Sequence, residues 1–174
     1  MQKREKAITF KGNPVTLLGP QLKPGDKAPD FRCLTSALAS VGIADTPGKP
    51  RLFSVVPSLD TPVCSQQTKK FEESLAGMKD KIATYTISLD LPFAQKRFCT
   101  AEACANMQTL SDVHNHSFGE AYGVLIEGLP LPLLARAVFV VDKAGTIKYV
   151  EYVNEVTSHP DYEKAVGALK ALAS

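Results

Sequence analysis

The groups best equipped for chemistry in this sequence are its four cysteines, Cys33, Cys64, Cys99 and Cys104. No two of them form a CxxC pair, which excludes the common dithiol redox motif. A zinc site is poorly supported. His114 and His116 follow Cys99 and Cys104, but the spacing fits none of the familiar structural zinc patterns. Wide cysteine spacing in a chain of 174 residues favours free or catalytic thiols over a disulfide framework.

Cys64 has the most informative surroundings. The segment Pro57-Ser58-Leu59-Asp60-Thr61-Pro62-Val63-Cys64 leaves a short apolar run and enters a stretch with helical periodicity. Thr61 suits an N-cap and Pro62 the first helical position, so Cys64 falls at about the third residue of the first turn. Free backbone N–H groups and the positive dipole end lie there, and both favour a thiolate. An ordinary thiol is only a few per cent ionised at neutral pH, so full ionisation gains on the order of thirty-fold. A fast reaction also needs groups that hold the substrate and stabilise developing charge. Two are available. The Thr61 hydroxyl either caps the helix or bonds the sulfur or its substrate. Arg136, just before the run Ala137 to Val141, brings a permanent positive charge. Pro57 is placed to shield the sulfur from water. Each residue also has a plain structural role open to it: Cys64 as a small buried apolar side chain, Thr61 as a cap, Arg136 as a surface or ion-pair residue.

The elements that must position these groups follow from periodicity and breakers. Residues 7 to 18 read as a hairpin with its turn at Gly12-Asn13, and residues 20 to 30 as an irregular connection rich in proline. Leu52 to Val56 is a strand buried on both faces, followed by a helix from about Pro62 to Met78 with Cys64, Phe71, Leu75 and Met78 on one face. A strand at Ile82 to Leu89 and a helix from Pro92 past Cys99 come next. Met107 to Leu110 reads as a short strand and His116 to Tyr122 as a short helix. Residues 127 to 134 read as a loop, 137 to 141 and 146 to 153 as a hairpin, and 160 to 172 as a helix with Pro160 in its first turn. This order implies one α/β domain over residues 1–174, with a mixed central sheet flanked by helices and an N-terminal β-hairpin, an order that a thioredoxin-like fold accommodates.

Composition excludes several classes. Hydrophobic residues make up 44% and charged residues 22%, with a net charge of +2, too mild to argue for nucleic acid. No apolar run reaches the length of a membrane span and no signal-peptide core is visible, so a cytoplasmic location is the default expectation. Residues 1 to 6, with Lys3, Arg4 and Lys6, are expected to be a flexible charged start.

The segment from Pro57 to Cys64 resembles the peroxidatic motif of the peroxiredoxins, in particular the atypical two-cysteine thiol peroxidase subfamily. Further stretches match that subfamily in order: Phe10 to Val15, Asp90 to Cys99, Ala121 to Val124, Leu134 to Ala137 and Pro160 to Glu163. The resemblance implies a thioredoxin fold, a homodimer, and no metal or organic cofactor. It implies that Cys64 attacks a hydroperoxide, that Thr61 and Arg136 activate the reacting atoms, and that Pro57 covers the site. It also implies that Cys99 resolves the oxidised Cys64 as an intramolecular disulfide, which thioredoxin reduces. The two cysteines are on different helices, so local unwinding on oxidation is expected. Cys33 and Cys104 fall outside the motifs and read as small buried residues. Cys104 is also close enough to Cys99 in sequence to compete as resolver. Two other readings stay open on the same fold, a thiol–disulfide oxidoreductase and a redox-responsive binding protein. The leucines at 129, 131, 133 and 134 either flank the pocket, favouring organic hydroperoxides, or serve ordinary packing.

Overall fold

The computed structural model describes residues 1–46 and 48–174. The strands are β1 (Lys3–Phe10), β2 (Asn13–Leu18), β3 (Cys33–Leu34), β4 (Ser40–Val41), β5 (Arg51–Val55), β6 (Ala83–Ser88), β7 (Met107–Ser111), β8 (Leu125–Glu127), β9 (Leu133–Leu134), β10 (Ala137–Val141) and β11 (Ile147–Tyr152). The α-helices are α1 (Pro62–Ser74), α2 (Pro92–Ala101), α3 (Ser117–Ala121) and α4 (Tyr162–Ala173). One sheet runs in the order β11-β10-β5-β6-β7-β3-β4, with β5, β6 and β7 parallel and β10 antiparallel to β5. A second sheet runs β1-β2-β8-β9. This is the expected mixed sheet with an N-terminal hairpin.

The two-residue period of the central strands explains the layers. Leu52 of β5 and Val138 and Val140 of β10 pack with Phe71 and Leu75 and with Ala165 and Leu169 of α4. The alternate residues Phe53, Val55, Phe139 and Val141 belong to the larger core on the other face, with Phe118 and Tyr122. Those two rings stack at 4.0 Å from positions four apart around α3. α1 therefore leaves β5 with one face pressed on the sheet, which places its first turn at the strand's C-terminal edge.

The structure corrects several expectations. Lys3 to Lys6 belong to β1 rather than to a flexible start. Lys3 pairs with Glu127 at 2.7 Å, and Arg4 donates to the Gly123 carbonyl and lies over the Tyr152 ring. Charge alone misleads here, because Lys3 and Arg4 each have their own acceptor. The first turn is at Lys11-Gly12, both with positive φ as a tight hairpin turn requires, one residue earlier than expected. Residues 127 to 134 are not all loop: Leu133–Leu134 pair with β8, a strand too short to show periodicity. α1 ends at Ser74, and Leu75 and the left-handed Gly77 turn the chain before Met78. Pro160 precedes α4, whose N-cap is Asp161, accepting from the Lys164 N–H at 3.1 Å.

Candidate active site

The parallel strand β5 hands the chain directly to the site. After Val55 the Val56 N–H still bonds the Ile87 carbonyl of β6 at 3.0 Å, and Pro57 is buried. The next turn is held by Asp90. Its carboxylate accepts from the Ser58 hydroxyl at 2.7 Å, the Leu59 N–H at 2.8 Å and the Ser88 hydroxyl at 2.7 Å. Thr61 is the N-cap residue in extended conformation, and Pro62 opens α1. Cys64 thus occupies the third position of the first turn, the register read from the sequence.

Cys64 is fully buried among Val56, Leu59 and the partly buried Phe98. Its sulfur accepts from Arg136 Nη2 at 3.3 Å. The same guanidinium donates from Nη1 to the Gln67 side-chain oxygen at 2.9 Å and from Nε to the Val156 carbonyl at 2.8 Å. Arg136 is 2% exposed, and among the described residues it makes no salt bridge with a carboxylate. A guanidinium stays charged in a protein, and a buried charge is costly without a partner of opposite sign. Its other two acceptors are neutral. The Cys64 sulfur is the one contact able to carry the balancing negative charge. Gln67 is fixed in turn by donating to the Ser54 hydroxyl of β5 at 2.7 Å.

The remaining sequence candidates are placed unequally. Thr61 is exposed, and its hydroxyl donates to the Ser58 carbonyl at 2.9 Å instead of capping the helix or meeting the sulfur. Pro57, Thr61 and Arg136 do line one cleft, of about 490 Å³, together with apolar Val63, Leu131 and Leu133. Leu129 packs against the core and Leu134 is buried in it, so the leucine run divides between the two roles foreseen. Cys99 is half-buried on α2 and lines a different cleft, shared with Cys104. All four cysteines are free thiols. Cys33 is buried as expected, with burial and the neighbouring Asp112 pushing its thiol well up, which makes it unreactive. Cys104 is half-buried, more open than expected.

Sequence reasoning missed Gln67 and Asp90 as positioning residues. The available signal was a glutamine three residues after Cys64, on the face α1 turns to the sheet. Among the described residues no group of three or more His, Cys, Asp or Glu side chains is gathered for a metal.

The segment carrying Val156 is tied to the first hairpin through Glu155. That carboxylate accepts from the N–H groups of Thr157 at 2.8 Å and Gly12 at 2.7 Å, and from the hydroxyls of Thr157 and Thr9. These bonds, the Thr157 N–H first, hold its carboxyl down from 4.5 to about 2. A depressed carboxylate stabilises the fold above its ordinary value and loses that contribution as pH falls through the folded one. Glu155→Gln is therefore expected to be less stable than the parent at pH 7. The gap should close as pH falls from 4.5 toward about 2, as read by urea unfolding across that range.

Comparison with known proteins agrees with this geometry. The Redoxin family model matches residues 23–166. The chain belongs to the Redoxin family. Within it the similarity is to thiol peroxidases. The thiol peroxidase of Halalkalibacterium halodurans is 56% identical over 165 residues, spanning 95% of this chain and 98% of its own. That of Bacillus subtilis is 53% identical over 165 residues, spanning 95% and 97%. The crystal structure of a peroxiredoxin-like protein from Aquifex aeolicus matches with a TM-score of 0.89 at 45% identity, over 96% of this chain and 97% of that one. The thiol peroxidase from Chromobacterium violaceum, at 19% identity and a TM-score of 0.81, supports the thioredoxin-like fold alone. This Redoxin-family chain is thus a peroxiredoxin-type peroxidase.

Proposed function

We propose that Cys64 reduces hydroperoxides and is recycled through a disulfide with Cys99. The Cys64 thiolate attacks one peroxide oxygen, the O–O bond breaks, and the alkoxide or hydroxide that leaves is protonated to alcohol or water. Cys64 is then a sulfenic acid. The Cys99 thiol condenses with it, forming the S–S bond and releasing water. Thioredoxin returns two electrons and two protons. The observation that supports this reading most is the buried Arg136 guanidinium bonded to the Cys64 sulfur with no carboxylate to neutralise it. In this reading its positive charge stabilises the charge that the leaving oxygen gains. The apolar cleft wall at Val63, Leu131 and Leu133 suits organic hydroperoxides alongside hydrogen peroxide.

The two sulfurs meet only after a local change, since Cys64 is fully buried and Cys99 lines another cleft. A disulfide requires Cα atoms within about 7 Å. Phe98, beside Cys99, already packs on the Cys64 cluster, so unwinding the first turn of α1 or the last of α2 is the natural route. The oxidised chain should lose hydrogen-exchange protection at one of these turns; identical protection in both redox states argues against the disulfide.

The functional test is peroxide consumption with a thioredoxin system, using hydrogen peroxide and cumene hydroperoxide in parallel. Many turnovers are expected; consumption that stops at one equivalent indicates a redox-responsive binding protein instead. Cys99→Ser should consume about one equivalent and then stop. Normal turnover by that variant would remove Cys99 from the mechanism. The reading also carries a homodimer and a cytoplasmic location from the family resemblance. Exposed Leu91 and Phe93 offer apolar surface for a second copy, and among the described residues no helix is long and apolar enough to cross a membrane. A monomer in sedimentation analysis would contradict the dimer.

A further inference from the structure

Cys99 and Cys104 form a pair that the peroxide chemistry above leaves half unused. α2 ends in a turn in which the Cys104 N–H bonds the Cys99 carbonyl at 3.1 Å, six residues closed end to end. Glu102 is the C-cap, and Ala103 takes the left-handed conformation at φ 53°. This is a Schellman turn, and such turns bring together the side chains of their first and last residues, here the two cysteines. Both line one surface cleft of about 330 Å³, with Lys96 on its wall.

The two ends of this turn are held differently. Glu72 of α1 accepts from the N–H groups of Ala105, Asn106 and Met107, each at 2.7 Å, so the chain just after Cys104 is pinned to the sheet-bound helix. Cys99 sits in the last turn of α2, where helices fray. Cys104 is the fixed partner and Cys99 the one free to travel. The two thiols also shift each other in opposite directions. The contact with Cys99 lowers the Cys104 thiol from its ordinary value, and the Cys99 thiol is pushed up by the contact with Cys104 and by burial.

We propose that Cys104 is the exit thiol of the catalytic cycle, passing oxidation from the Cys64–Cys99 disulfide to a Cys99–Cys104 disulfide in the open cleft. The inference rests on the Cys64–Cys99 reading above. The Cys104 thiolate attacks the Cys99 sulfur, the Cys64–Cys99 bond breaks, and Cys64 leaves as a thiolate that returns to Arg136. The exchange conserves electrons, since one disulfide replaces another. The reducing dithiol then meets a bond at the surface, and the Cys64 pocket closes before reduction occurs.

The test treats the full chain with one equivalent of hydrogen peroxide without reductant, blocks free thiols in acid, and maps disulfides by mass spectrometry. The parent is expected to hold Cys99–Cys104 with Cys64 free. Cys104→Ser and Cys104→Ala are expected to hold Cys64–Cys99, to keep the first equivalent of peroxide consumption, and to recycle with thioredoxin about tenfold or more slowly. Cys64–Cys99 alone in the parent, with both variants recycling at the parent rate, overturns the relay and leaves the peroxidase reading intact. Cys64 in no disulfide in any of the three proteins overturns the resolving step as well.

Discussion

Cys64→Ser is expected to lose peroxidase turnover altogether. The loss should be on the order of 10⁶-fold or more, the lower end of ordinary enzymatic acceleration, because a serine hydroxyl is not ionised beside Arg136 and is a poor nucleophile toward oxygen. The sulfur is fully buried in a pocket of Val56, Leu59 and Phe98, so no other cysteine can substitute from the same position. The replacement is nearly isosteric and should fold. It should not be neutral for stability, however. Arg136 would keep its bonds to Gln67 and Val156 and lose the one contact able to carry negative charge. A cost of about 1–3 kcal/mol is expected for that buried, undercompensated charge. Coupled peroxide consumption and urea unfolding measure the two effects. A turnover rate within tenfold of the parent would remove Cys64 from the chemistry.

Arg136→Lys is expected to fold and to react slowly. The guanidinium makes three bonds in three directions at once, to the Val156 carbonyl, the Gln67 oxygen and the Cys64 sulfur. An ammonium on a flexible stem keeps the charge but cannot reproduce that fork. If it follows the two oxygens it leaves the sulfur, and if it follows the sulfur it leaves buried acceptors unmet. Loss of one aligned donor to a developing oxyanion costs about 10²–10³ in rate. The first-turnover rate constant for hydrogen peroxide, followed by stopped flow, should fall by that factor, and Arg136→Met should fall further. A lysine variant reacting at the parent rate would mean the positive charge matters and its geometry does not.

The site was legible where local rules fix it. Thr61 and Pro62 define a helix start, so the register of Cys64 could be read without any tertiary information. The strand Leu52 to Val56 showed itself as a continuous apolar run because both of its faces are covered. What the sequence hid depends on contacts between distant segments. Arg136 is 72 residues from Cys64, and its burial appears only once β10 lies beside β5. Gln67 looked like an ordinary helix residue until its two bonds, to Ser54 and Arg136, were visible. Thr61 illustrates the opposite case: the residue type was read correctly as an N-cap, yet its hydroxyl turns back to Ser58. The docking of Lys3 and Arg4 was hidden for the same reason as Arg136, since their partners Glu127 and Gly123 are more than a hundred residues away.

The most direct test asks which sulfur the peroxide oxidises. Cys99→Ser, treated with one equivalent of hydrogen peroxide in the presence of dimedone, should carry the sulfenic acid adduct on Cys64 and on no other cysteine when digested and sequenced by mass spectrometry. An adduct on Cys33 or Cys104 with Cys64 unmodified would contradict the account, however closely the buried guanidinium approaches that sulfur.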